Sequence, residues 1–295
     1  MAFVLAHLSD PHVPPLPIAQ LRELAGKRML GYLNWTRNRR AKHRRDLLDA
    51  LVADMQSQKP DHIAVTGDIV NLSLHSEYLP AKMWIDDVGN PHDVTVIPGN
   101  HDAYVPRALP RFNAIFAPYL TDDDPQIAPG TYPFLRRRGP LAIVSVSSAV
   151  ATPPMMATGW LGAAQRGALS DQLEALAQEP VFRVVLIHHP LRSRERHKRL
   201  TDSAEVCALL EKHGAELVLH GHDHVHSTLW LDGPRGRIPV IGVSSASAVL
   251  LGKRPPGAYN LFAISRDGDG WRCTQTLRGF DQGGTPRELK TERLI

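Results

Sequence analysis

An α/β fold, with a β-sheet core flanked by helices, is what this chain of 295 residues predicts. Three observations carry that expectation. Apolar runs of strand length alternate with longer stretches of helical periodicity up to about residue 220. Beyond residue 224 the pattern turns to strands alone, punctuated by Gly and Pro. Five clusters of Asp, Asn and His each follow an apolar run, as ligands do where the strands of an open sheet end.

Taken in order, residues 3–8 read as the first strand, and helices are expected over 19–33 and 40–57. A strand at 63–65, a helix at 75–87, a strand at 94–97 and a helix at 107–117 follow. No element is assigned between 117 and 162. The next helix spans 162–178, where Leu161, Ala164, Leu169, Leu173 and Leu176 form an approximate apolar stripe. Then come a strand at 184–187, a helix at 202–213 and a strand at 217–219. Four further strands are expected at 225–231, 238–243, 259–265 and 271–277, separated by turn sequences such as Asp232-Gly233-Pro234. The expected organisation is one domain over 1–280 and a polar tail over 281–295, either loose or a late strand.

Composition narrows the class. Hydrophobic content is 43% and charged content 22%, ordinary globular values that argue against extensive disorder. The two cysteines, Cys207 and Cys273, make no disulfide framework, which fits a reducing, cytoplasmic setting. The apolar run 2–8 is short, lacks a basic start and leads straight into Asp10, so it reads as a strand and not a signal peptide. No stretch approaches the ~20 apolar residues of a membrane helix. There is no Gly-x-x-x-x-Gly-Lys loop, no Gly-x-Gly-x-x-Gly after a strand and no Gly-x-Ser-x-Gly turn. Ser244-Ser245-Ala246-Ser247 follows a strand and reads as a strand-end turn.

The five polar clusters are Asp10-Pro11-His12, Gly67-Asp68, Gly99-Asn100-His101-Asp102, His188-His189 and His220-Gly221-His222-Asp223-His224. Each has a bland account by itself. Asp-Pro favours turns, Gly-Asp after a strand is common, and a His pair is more often structural than a ligand. All five bland accounts holding at once, in this order and each after a strand, is improbable. Carboxylate, amide and imidazole donors are the ones that borderline divalent metals accept.

The ordered set Asp-x-His, Gly-Asp, Gly-Asn-His-Asp, His and Gly-His-x-His resembles the calcineurin-like metallophosphoesterase superfamily. Within it, Ser9-Asp10-Pro11-His12, Thr66-Gly67-Asp68-Ile69-Val70 and Ile187-His188-His189-Pro190 are similar to the bacterial class III cyclic nucleotide phosphodiesterases. The resemblance implies a four-layer α-β-β-α sandwich of two facing mixed sheets. It implies two metal ions (Mn, Fe or Zn), the first held by Asp10, His12 and His224, the second by Asn100, His188 and His222, with Asp68 bridging. A hydroxide shared by the metals would attack phosphorus in line. His101 would donate a proton to the leaving oxygen, and Asp102 would orient the His101 ring. His220 would be a supporting group or a plain strand-end histidine.

The implied function is hydrolysis of a phosphodiester, a cyclic nucleotide being one such substrate. Alternatives are a pyrophosphatase acting on a nucleotide-linked lipid such as UDP-diacylglucosamine, a phosphomonoesterase, and a non-catalytic scaffold on the same fold. Retention of every motif residue argues against the scaffold. The lipid branch commonly carries Arg where this chain has His101, which argues against the lipid.

The least ordinary stretch lies at 14–45, between the first two motifs. It opens with Pro14-Pro15-Leu16-Pro17, carries Leu21, Leu24, Met29, Leu30, Tyr32, Leu33 and Trp35, and closes on a basic run from Arg37 to Arg45. A second basic run, Arg192 to Arg199, follows His188-His189-Pro190. The whole chain is only +4, so the basic charge is local. A solvated face, a collar drawing in an anionic phosphoester and a peripheral membrane-surface patch all fit. With 6% aromatic content and no stacking array, nucleic acid is not an expected partner.

Overall fold

The computed structural model describes residues 2–250, 254–281 and 284–295. Along the chain run strands β1 (Phe3–Leu8), β2 (His62–Val65), β3 (Val94–Val96), β4 (Phe134–Arg138), β5 (Leu141–Ser145) and β6 (Phe182–Leu186). They continue as β7 (Leu217–His220), β8 (Ser227–Gly233), β9 (Gly236–Gly242), β10 (Ala258–Asp267), β11 (Gly270–Phe280) and β12 (Pro286–Arg293). The helices are α1 (Lys27–Asn34), α2 (Arg45–Ser57), α3 (His75–Val88), α4 (Ala108–Ile115), α5 (Ala163–Leu176) and α6 (Ser203–His213).

The strands form two mixed sheets, ordered β12-β11-β10-β1-β2-β3 and β4-β5-β6-β7-β9-β8. In the first, β1, β2 and β3 are parallel and β10 to β12 antiparallel. In the second, β5, β6, β7 and β9 are parallel, and β4 and β8 close the edges antiparallel. The side-chain period of two divides the second sheet. Leu141, Ile143, Val184, Leu186, Leu217 and Leu219 join the core shared with the first sheet. Their neighbours Ala142, Val144, Val185 and Val218 instead meet Leu169 and Leu173 of α5 and Val206 and Leu210 of α6. Helices α2 and α3 pack into the first core through residues such as Leu48, Met55, Trp84 and Ile85. The architecture is the expected helix-sheet-sheet-helix arrangement.

Three sequence expectations needed correction. The helix expected over 19–33 is instead a short 3-10 turn at Leu21–Glu23, then α1, then a π-helical turn at Trp35–Arg39. Gly26, at φ 68°, breaks the run before α1. The helix expected over 40–57 starts only at Arg45. The third is the hairpin of β4 and β5, for which no strands were expected. β4 ends on three consecutive arginines, Arg136 to Arg138, and shows no apolar alternation. Arg136 is in fact buried, and its guanidinium donates to the carbonyls of Pro91, Val94, Pro118 and Thr121. The polar tail contains a strand, since β12 pairs with β11. Both cysteines are free, and no helix among the described residues is long and apolar enough to cross a membrane.

Candidate metal centre

The first four clusters lie where β1, β2, β3 and β6 end, and the fifth begins on the last residue of β7. Parallel pairing puts these ends on one edge of each sheet. The two edges are then joined directly. Ser9, just after β1, bridges Ser245, just after β9. The Ser245 hydroxyl donates to the Asp10 carbonyl at 2.7 Å, and the Ala246 amide to the Ser9 carbonyl at 2.9 Å. The serine run after β9 is thus a brace between the sheets.

The loops carry donors because their backbone takes conformations that regular elements avoid. Asp10, His12, Asp68, His222 and His224 all have positive φ, between 39° and 71°. Such residues cost of order 1–3 kcal/mol each and persist only where surrounding contacts fix them. Here Asp10 N donates to Gly67 O and His12 N to Asp68 O, both at 3.0 Å, zipping the first loop to the second. The motif glycines permit close approach. A Cβ on Gly67 would meet the Gly99 nitrogen at 2.5 Å, and Gly221 lies against Ser9 and Asp10 with no space for one.

These turns gather donor atoms into two groups. Asp10, His12, Asp68 and His224 offer atoms all within 4.8 Å of one another, and Asp68, His188 and His222 do the same. Asp68 belongs to both. The Asn100 side-chain oxygen lies 2.8 Å from His222 Nδ1 and 3.2 Å from His188 Nε2, beside the second group. The residues expected to hold metals therefore meet around one carboxylate. Backbone carbonyls aim the rings: His188 Nδ1 lies 2.6 Å from Thr66 O and His12 Nδ1 3.3 Å from Val70 O.

Burial and mutual charge set the electrostatics. Burial pushes the Asp68 carboxyl up, yet His188, His101 and His12 together hold it well below its usual range. Burial pushes His188 down, but the Asp68 and Asp10 carboxylates carry it up to about 9. His12 and His222 sit well below their usual value, mainly through burial. The donor set fits divalent metal ions. It combines two carboxylates, an amide oxygen and four imidazoles, and His222 Nε2 is buried without a hydrogen-bond partner among the described residues.

One site residue, Asp102, behaves differently from expectation, and its neighbours show why. His101 borders the donors, its amide donating to Asp68 Oδ1 at 2.7 Å. Its ring Nδ1, however, bonds the Asn71 carbonyl and not Asp102. Asp102 accepts instead from the backbone amides of Gly99, Ile69 and Val70, so it ties the second loop to the third and does not orient the His101 ring. Burial and nearby Asp68 push Asp102 up to about 8, while those three amides favour its carboxylate. His220 stays outside the donor groups, its Nε2 3.3 Å from the Ser227 hydroxyl. His189 bonds Ser148 Oγ at 2.7 Å and is structural.

Arg39 was missed in the sequence. It comes from the 14–45 segment, yet its guanidinium donates to His12 Nε2 at 2.9 Å and His101 Nε2 at 3.1 Å. The π turn swings Trp35 inward, where it stacks on His43, and delivers Arg39 to the donors. A basic run contains several arginines, and nothing in the sequence says which one turns in. The resulting cavity is about 270 Å³ and is bounded by Asp68, His101, Arg39, Lys42, Lys198 and Arg254.

Comparison with known proteins agrees with this geometry. The family model for calcineurin-like phosphoesterases matches residues 3–226. A search of curated protein sequences returned no match. Among solved structures, GAP50, the anchor in the inner membrane complex of Plasmodium, is 12% identical, with 99% of this chain and 88% of that one covered at a TM-score of 0.54. The Thermus thermophilus sulfate thiohydrolase SoxB is 16% identical over 99% of this chain and 56% of its own, at 0.49. Zinc-complexed Vps29 of Entamoeba histolytica is 12% identical over 99% and 98%, at 0.41. The family match spans all five donor clusters, and on that match the chain belongs to the calcineurin-like phosphoesterases.

Proposed function

We propose that this protein is a dinuclear metal-dependent phosphoesterase that hydrolyses a phosphodiester. The observation that carries the reading is the sharing of Asp68 by two donor groups. Asp10, His12, Asp68 and His224 would hold one ion, and Asp68, Asn100, His188 and His222 the other. Mn, Fe or Zn bound there would polarise a phosphoryl group and lower the pKa of bound water.

The remaining roles belong to the chain itself. Arg39 offers a planar fork at the cavity, suited to phosphoryl oxygens. His101 gives Nδ1 to the Asn71 carbonyl, and its Nε2, to which Arg39 donates, is the atom that would pass a proton to the leaving oxygen once a bound phosphoryl group takes over the Arg39 donors. Burial and Arg39 push His101 down to about 4, against the pull of Asp68. A phosphate anion drawn to Arg39 offsets that cation and raises His101 toward a working pKa. Cyclic nucleotides are the phosphodiesters that fit the motif resemblance. A second reading, a pyrophosphatase acting on a nucleotide-linked lipid, is supported by the exposed apolar residues of α1 beside the cavity.

The test is Mn²⁺-loaded protein with bis(p-nitrophenyl) phosphate. His101→Ala is expected to keep its metal and lose about 10²–10⁴-fold in kcat. Equal activity in that variant removes His101 from the mechanism, and no turnover by metal-loaded wild type ends the reading. The kcat/KM ratio for cyclic AMP against UDP-diacylglucosamine in mixed micelles separates the two substrate classes.

A further inference from the structure

The segment that delivers Arg39 has a second face, and that face is apolar, outward and uncovered. The inward side of α1 is fixed by contacts. Lys27 Nζ donates to the Thr152 hydroxyl at 2.7 Å and Arg28 Nε to the Leu72 carbonyl at 3.0 Å. Gly31 lies against Tyr104 and Leu72 with no space for a Cβ. Tyr32 packs on the cluster of Leu72, Leu74 and Tyr104. The other side is left to Met29, Leu30 and Leu33, which share a face at helical spacing, and no residue of α1 is buried. Leu30 is 50% exposed and Leu33 39%. Ahead of the helix, Ile18 is 91% and Leu21 87% exposed. Exposed apolar side chains are ordinary when scattered; five within sixteen residues, with a solvent-facing helix among them, are not.

Charge says what covers this face. Residues 14–45 carry nine Arg or Lys and one carboxylate, so this segment is more positive than the whole chain at +4. Its one carboxylate, Glu23, is engaged by the His75 amide. Arg37 and Arg40 are exposed and have no ion pair among the described residues. A protein partner would match apolar area with any charge pattern. Leucines flanked by unpaired arginines, on a helix held only from behind, match the boundary between acyl chains and anionic headgroups.

We infer that residues 18–40 dock this protein on an anionic lipid bilayer. The leucines enter the boundary region and Arg37 and Arg40 meet the headgroups. Asn34 and Asn38 line the metal cavity within a turn or two of Leu30 and Leu33, so docking sets the cavity mouth beside the lipid surface. The inference does not depend on which ester is cleaved, and its readout is binding.

The experiment is flotation of the full chain with phosphatidylcholine vesicles, with and without phosphatidylglycerol. Wild type is expected to float with the mixed vesicles, less so as salt rises. Leu21→Ser with Leu30→Ser is expected to weaken binding at least about tenfold with an unchanged circular dichroism spectrum, since both side chains are exposed. Arg37→Glu with Arg40→Glu is expected to abolish the preference for phosphatidylglycerol. Wild type remaining with the unbound protein overturns the inference, as does undiminished binding by the serine variant. A dimer that the serine variant dissolves, without flotation of wild type, overturns it in favour of a second copy of this chain. Loss of bis(p-nitrophenyl) phosphate turnover bears only on the proposed function.

Discussion

The strand-end loops and the 14–45 segment meet at one cavity and are built on opposite principles. The loops are largely buried and several are strained, and backbone hydrogen bonds tie Asp10, His12, Asp68 and His188 to other loops. The segment is largely exposed and buries no residue of α1; side-chain bonds, the packing of Tyr32 and the buried Leu24, Trp35 and His43 hold it from behind. Precision sits where neighbouring strands over-determine the backbone, and an adaptable surface sits where they do not. The candidate metal centre rests on the first kind of structure, and the proposed contacts with substrate and lipid rest on the second.

The sharpest way to break this comparison is at Asp68, the carboxylate common to both donor groups. Asp68→Ala is expected to lower metal content from about two ions per chain to near none, read by elemental analysis after gel filtration, with activity lost alongside. Full retention of one ion would show that the groups are independent.

A smaller effect concerns pH. His188, carried up to about 9, holds a proton at neutral pH, and a metal ligand must release it. Metal affinity is therefore expected to rise with pH, about tenfold per unit below about 9 for one displaced proton. Calorimetric titration in buffers of different ionisation enthalpy counts that proton, and a pH-independent affinity would refute it.

The mildest test lies on the segment. Arg39→Ala is expected to cost about 2 kcal/mol, near thirtyfold in kcat/KM and mainly in KM, with both metals kept. Arg39→Lys should recover only part, because lysine lacks the fork. A metal deficit in Arg39→Ala would place the side chain with the loops instead.

The donor residues were legible because the chemistry leaves little choice. Asp, Asn and His placed just past short apolar runs mark both the strand ends and the donors, and the glycines between them announce close backbone approach. The loops before α1 and the hairpin of β4 and β5 were not legible. Gly26 ends one helical pattern without a capping signal, and Arg136 hides a buried strand behind a surface-like sequence. Asp102 read as a partner for its neighbour His101, but adjacent side chains diverge, and its oxygens turned to the backbone of another loop.

By itself the sequence determined the α/β class, the order of the main strands along the chain and the set of candidate donor side chains, because local periodicity and residue chemistry carry that information. Only the tertiary structure decided that Asp68 is shared, that Asn71 and not Asp102 holds the His101 ring, and that Arg39, one arginine among many, turns inward. Those outcomes depend on which loops come within hydrogen-bonding reach, a property of how the two sheets join.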